Sequence, residues 1–193
     1  MDLSRSVLLP VDLQRAFDHP PWPRRWNGAL DDNGLRLLDA WRASGRPIVH
    51  IRHDSVDPAS TLRPGTPGHV FRPGFEPRND EPVVAKSVNA AFIGTDLDSR
   101  LRRMGVDRVV TFGLSTDMCV STTVRVGANL GYDMILVADA CDCFDLPGPA
   151  GAVVPAESIH AAHVATLAFE FADVVDTRTL VDALSSLEQG PIG

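Results

Sequence analysis

A chain of 193 residues, 44% of them hydrophobic, can bury one core of ordinary domain size. Its formal charge of −7, with Lys and Arg scattered, excludes a binder that tracks nucleic-acid phosphates, and no apolar run approaches the roughly 20 residues that span a bilayer. The opening MDLSRSVLLPVDLQ lacks the apolar core and cleavage site of a signal peptide, so a cytoplasmic protein is expected.

The first predicted strand is SVLLPV (6–11). Pro10 inside it removes a ladder N–H, so a local irregularity is expected there. Leu30, Gly34, Leu37, Leu38 and Trp41 then fall on one helix face, closed by Gly45. PIVHIR (47–52) and VVAK (83–86) read as the second and third strands. Thr95 is placed as an N-cap with Asp98 at the capping-box position, Leu97, Leu101 and Met104 as the buried stripe, and Gly105 as the stop. RVVTFG (108–113) is the fourth strand. A helix from Cys119 to Leu130 follows, with Val120, Val124 and Ala128 along one side. MILVAD (134–139) is the fifth strand. Pro155 opens a helix on which Val164, Leu167, Ala168 and Phe171 keep the 3.6 period. DVVDT (173–177) is a sixth strand, and a last helix carries Leu180, Val181, Leu184 and Leu187.

Six apolar strands alternating with helices predict an α/β fold with a mainly parallel sheet covered on both faces. No shift in composition marks a boundary, so residues 1–193 are taken as one domain. Two stretches break the rhythm, 18–29 and 55–82, both rich in Pro and both following strand ends. Sheets of this kind bind ligands outside the carboxyl ends of their strands, so both stretches are expected to form a lid. Trp22, Trp26 and Phe71 would give it apolar area, and Arg24, Arg25 and Arg72 positive charge.

Three cysteines, Cys119, Cys141 and Cys143, make no disulfide framework, and the C-D-C spacing of the last two is not that of zinc ligands. Those two are read as small buried residues after a strand. Cys119 stands apart: it follows a strand and a tight connection and opens a helix, where the dipole and free N–H groups would lower its pKa. Asp12 ends the first strand and Lys86 the third. Each position has a bland reading: a buried thiol, a turn carboxylate, a solvated lysine. Together they place a thiol, a carboxylate and an ammonium on one rim.

The segments LLPVDLQRAF, VVAKSVNAAFIGTDL and TFGLSTDMCVSTTVRVGANLGYDMILVADAC resemble the isochorismatase-like cysteine hydrolases. The resemblance runs over nearly the whole chain. It implies a three-layer, Rossmann-like fold whose six parallel strands take the order 3-2-1-4-5-6, with Asp12, Lys86 and Cys119 as the catalytic triad. It also implies a cis peptide at Leu114–Ser115 and an oxyanion hole made by the Ser115 and Cys119 N–H groups. The implied activity is hydrolysis of a small amide, ureide or carbamoyl C–N bond through a thioester, in a homodimer or larger homo-oligomer. The chain departs from two branches of that superfamily. Nicotinamidases carry Asp-x-His after the second strand, where this chain has Arg52-His53-Asp54, so no metal or other cofactor is expected. True isochorismatases lack the cysteine that is present here.

Gln14, Phe17, Trp22, Trp26, His53, Asn89 and Phe92 are candidates for the substrate pocket, and His160 and His163 for surface or subunit contacts. Other function classes fit less well. A thiol-redox or transfer protein using Cys119 would want a C-x-x-C pair, and none is present. A nucleotide-binding module would want G-x-G-x-x-G after the first strand, which reads D-L-Q-R-A-F instead. A catalytically retired binding member of the fold would have no need of an intact triad.

Overall fold

The computed structural model describes residues 1–188 apart from Arg24, Asn79 and Ala150, with the backbone alone for Leu187 and Glu188. Arg24 and the Leu187 side chain, both named above, lie outside the described residues. One sheet contains β1 (Ser6–Val11), β2 (His50–His53), β3 (Val83–Lys86), β4 (Arg108–Leu114), β5 (Asp133–Asp142) and the short strand Asp173–Val175. The last of these is β8, because a two-stranded antiparallel hairpin, β6 (Leu146–Pro147) with β7 (Val153–Val154), intervenes. The strand order is β3-β2-β1-β4-β5-β8, all parallel, which is the expected order with the hairpin inserted. The helices are α1 (Leu30–Ala43), α2 (Leu97–Arg103), α3 (Ser121–Asn129), α4 (Ala156–Glu170) and α5 (Thr177–Glu188). They cover the sheet in two layers: α1 packs with α5, and α3 with α4.

The apolar patterns account for the core. Leu30, Gly34, Leu37, Leu38 and Trp41 are the buried face of α1, and Gly45 ends it at φ 66°. Pro10 leaves its mark where expected. The Leu8 and Asp12 N–H groups donate to the Pro47 and Ile51 carbonyls, 3.0 Å each, and the rung between them belongs to Pro10, which has no N–H. Pairing along this edge is reduced to the bridge Leu8↔Ile48 and the pair Val11↔Ile51, so β2 begins at His50 rather than Pro47.

Four expectations need correction. Met104 is exposed, because α2 ends at Arg103. Asp98 makes no capping box: its carboxylate bonds Tyr132 and Arg102, while the Thr95 hydroxyl accepts from the Leu97 N–H. Ala168 is exposed as well, and of the residues of α4 only Ala156 and Leu167 are buried. Finally, β5 runs on to Asp142, so Cys141 lies within the strand rather than after it.

At the carboxyl end of the sheet β1 and β4 come unusually close. A Cβ added at Gly113, which sits at φ 131°, would lie 2.2 Å from the Val11 carbonyl oxygen. Only glycine permits that approach, and it sets the strand ends that follow Val11 and Gly113 side by side.

Candidate active site

Asp12 leaves β1 at φ 52°, a left-handed conformation uncommon for a residue with a Cβ. Such a turn ends the ladder and directs the side chain off the strand. Lys86 is the last residue of β3 and His53 the last of β2, and the two are register partners. Beyond β4 the chain passes the cis peptide Leu114–Ser115 and enters a π-helical turn, Thr116–Val120, which carries Cys119. Three strand ends and one turn thus converge.

The polar atoms meet inside the protein. Asp12 and Lys86 side chains are fully buried, and the Lys86 Nζ donates to Asp12 Oδ2 at 2.5 Å. The same ammonium lies 3.3 Å from Cys119 Sγ and 3.0 Å from His53 Nδ1. Asp12 Oδ1 is buried with no hydrogen-bond partner, so half of this carboxylate remains free to take a proton. Asp12, His53 and Cys119 each offer an atom within 4.8 Å of the others, the one group of potential metal ligands among the described residues. The Lys86 ammonium already bonds all three.

The expected lowering of the thiol pKa is not realised in this arrangement. Cys119 lies within the π turn rather than at the start of α3, and burial, then the Asp12 carboxylate, push its pKa well up, against the pull of Lys86. Burial thus favours the thiol over the thiolate at Cys119, beside the Asp12–Lys86 pair.

The pocket candidates divide. His53 joins the cluster. Gln14 is buried with its amide committed to bracing loops: Nε2 donates to the His53 and His69 carbonyls, and Oε1 accepts from the His53 N–H. Phe17 is buried against Trp22, ring centroids 4.7 Å apart, and Trp22 packs on Phe144 at 5.1 Å. Trp26 is half exposed and lies 5.1 Å from the His160 ring. Asn89 is exposed. Phe92 packs in the core, its ring stacked on Tyr132 at 5.6 Å. His160 and His163, expected in surface or subunit contacts, are half-buried: His160 Nδ1 lies 2.9 Å from the Thr116 hydroxyl and His163 Nδ1 is 3.4 Å from Ser121 Oγ. They face the segment that carries the thiol.

The two Pro-rich stretches do meet. Arg72 bonds Asp31 at 2.6 Å and pairs with Asp18, while Arg25 pairs with Asp18, Asp31 and Asp142. This corrects the role given to the arginines: Arg25 and Arg72 are spent on carboxylates of the chain itself. Asp142, which the sequence reading passed over, is fully buried, and its Oδ1 accepts from the Trp26, Asn27 and Cys143 N–H groups. It fastens the first stretch to the end of β5. Glu81 fastens the second, with bonds from Arg42 at 2.7 Å and His50 at 2.9 Å; although burial opposes it, Arg42 helps to hold the Glu81 pKa down at about 2.

Comparison with known proteins places the chain. Residues 6–179 match the family model for the isochorismatase domain. A structure of an isochorismatase-family protein from Chromobacterium violaceum is 43% identical and superposes with a TM-score of 0.91 over 94% of either chain. The isochorismatase family protein YrdC of Bacillus subtilis is 35% identical over 178 residues, 92% of this chain and 95% of its own. A streptothricin hydrolase of Streptomyces noursei is 34% identical over 151 residues, 76% of this chain and 58% of its own.

Proposed function

This chain belongs to the isochorismatase family of hydrolases, and we propose that it is a cysteine hydrolase of small amide, ureide or carbamoyl C–N bonds. The observation that carries this reading is the buried contact of one ammonium with both a carboxylate and a thiol, 2.5 and 3.3 Å away, beside a free carboxylate oxygen. The names of two relatives, streptothricin hydrolase and nicotinamidase, accord with it.

The chemistry follows from the groups. Asp12 takes the thiol proton as Sγ attacks the carbonyl carbon, and the Lys86 cation steadies the anionic charge that passes between them. The Ser115 and Cys119 N–H groups hold the oxyanion. Collapse of the tetrahedral adduct breaks the C–N bond, and Asp12 returns its proton to the leaving nitrogen. Water, deprotonated by Asp12, then adds to the thioester and releases the acid and the thiol. In this scheme the thiol gives up its proton only as the sulfur attacks. A nucleophile that must stay reduced suits the cytoplasm. The redox alternative finds no disulfide formed: all three cysteines are free, with Cys141 Sγ bonded to the Val137 carbonyl and Cys143 Sγ to that of Ala156.

A panel of primary amides, ureides and carbamoyl compounds assayed for ammonia tests the reading, and release from at least one is expected. No release from any member would contradict it. With the substrate found, exhaustive chelation should leave the rate unchanged, because Lys86 already supplies the positive charge that a metal would bring. A loss restored by added zinc, iron or manganese would overturn that.

The same reading includes a homo-oligomer, formed through α4. A helix rich in apolar residues on every side belongs inside a structure, yet α4 leaves Phe169 87% exposed, and Val153 and Val154 just before it are exposed as well. A second copy packed helix to helix would cover them. Sedimentation at micromolar concentration should give at least a dimer, and Phe169→Asp should give a monomer. A wild-type mass near 21 kDa would count against this interface.

A further inference from the structure

The triad accounts for only two of the three N–H bonds of Lys86. The ammonium is enclosed, and its three hydrogens find three acceptors: Asp12 Oδ2 at 2.5 Å, His53 Nδ1 at 3.0 Å and Cys119 Sγ at 3.3 Å. An ammonium has donors only, so each partner must accept. For His53 this fixes the tautomer, with the lone pair on Nδ1 and the proton on Nε2. We propose that His53 is a positioning residue, whose neutral ring holds the third N–H of Lys86 so that the other two stay aimed at Asp12 and Cys119. This rests on the triad reading and extends it to a fourth side chain.

The placement is built into the fold. His53 and Lys86 are register partners on β2 and β3, and the Gln14 amide clamps the His53 backbone at both its N–H and its carbonyl. The surroundings favour a neutral ring. Around it stand Lys86, Asp12 at 3.9 Å, Cys119, and on its own strand side Arg52 and Asp54; the Asp54 carboxylate is committed to Arg52 and His69. Burial, then the Lys86 cation, lower the His53 pKa below the usual histidine range, against Asp12 and Asp54. If a proton did reach Nδ1, the Lys86 contact would become donor against donor. Lys86 would be left with Asp12, its closest partner, and its hold on the Cys119 sulfur would weaken.

The test uses iodoacetamide and needs no substrate. Alkylation of Cys119, which keeps 8% exposure, is followed by mass spectrometry across pH in the whole protein; Cys141 and Cys143, fully buried, serve as internal references. His53→Leu removes the acceptor and should move the Cys119 profile up by about one pH unit, roughly tenfold slower alkylation at a fixed pH. His53→Asn places an amide oxygen near the Nδ1 position and should restore the wild-type profile. His53→Ala, which also lacks the acceptor and brings no branched side chain beside Lys86, should behave as Leu does, and it carries the test if the Leu variant does not fold. Profiles that coincide for wild type and the Leu or Ala variant overturn the proposal, as does an Asn variant as slow as Leu. With a substrate in hand, the Leu variant should lose kcat while KM stays within about twofold; a change in KM alone, without loss of kcat, would make His53 a substrate contact and refute a positioning role. An active Cys119→Ala variant would refute the triad itself. An inactive Cys119→Ala together with an unchanged His53→Leu would refute only the inference.

Discussion

Cys119→Ala is expected to abolish turnover, by about four orders of magnitude or more, and to leave the fold unchanged. In the proposed mechanism the Cys119 sulfur carries the acyl group. Neither Asp12 nor Lys86 can replace it: the carboxylate is held by the ammonium at 2.5 Å, and the ammonium has no lone pair. Structure depends on it far less. The sulfur makes one weak polar contact, at 3.3 Å, and Ala fills most of the remaining volume. Cys119→Ser is the sharper variant. Its hydroxyl can keep the Lys86 contact, so packing and polarity both survive, but an alcohol is far less acidic than a thiol and Asp12 cannot deprotonate it usefully. Circular dichroism and melting temperature should match the wild type for both variants. Hydrolysis of a confirmed substrate at the wild-type rate by either would remove Cys119 from the mechanism.

Lys86→Met is expected to be the most damaging change to both activity and stability. Lys86 and Asp12 are fully buried, and the pair survives there because each cancels the other's charge. Removing one partner leaves an uncompensated carboxylate, which costs about 3–5 kcal/mol. For a chain of this length, that is a fall in Tm of about 6–20 °C. Turnover should vanish with it, since nothing then offsets the charge that moves between Asp12 and Sγ. A double variant, Asp12→Asn/Lys86→Met, separates the two effects. It should recover much of the lost stability, having no buried charge to leave unpaired, and none of the activity. A single Lys86→Met variant that melts with the wild type and still turns over would show that the pair does not form in solution.

The fold was legible in this sequence because the strands are buried on both faces and therefore read as near-continuous apolar runs, separated by helices with clear stripes. The β6–β7 hairpin was not, since two strands of two residues each leave no periodicity to detect. Asp12 and Lys86 were legible as a pair on one rim because each closes a strand or follows its end, where a charged residue after an apolar run is conspicuous; Cys119, in the turn beyond β4, was singled out as nucleophile through the family resemblance. Its environment was not. Sequence places Cys119 near a helix start and suggests a lowered pKa, but burial and the approach of Asp12 act through space and reverse the direction. His53 was visible only as one polar residue in R-H-D. Its contact with Lys86 depends on strand register, which the letters do not state. The lid arginines failed for the same reason: Asp18, Asp31 and Asp142 lie far apart in the chain and meet Arg25 and Arg72 only once it is folded. Asp142 itself carried a signal that could have been used, a carboxylate at the carboxyl end of the fifth strand, on the same rim as Asp12.

The thioester is the central claim, and partitioning tests it most directly. The enzyme is given two substrates with one acyl group and different leaving groups, the primary amide found in the ammonia assay and the methyl ester of the same acid, each in the presence of hydroxylamine. A common acyl–Cys119 intermediate has lost all memory of its leaving group, so both substrates must give the same ratio of hydroxamate to free acid. A ratio that differs between amide and ester would mean that water and hydroxylamine attack the bound substrate directly, and would contradict the mechanism.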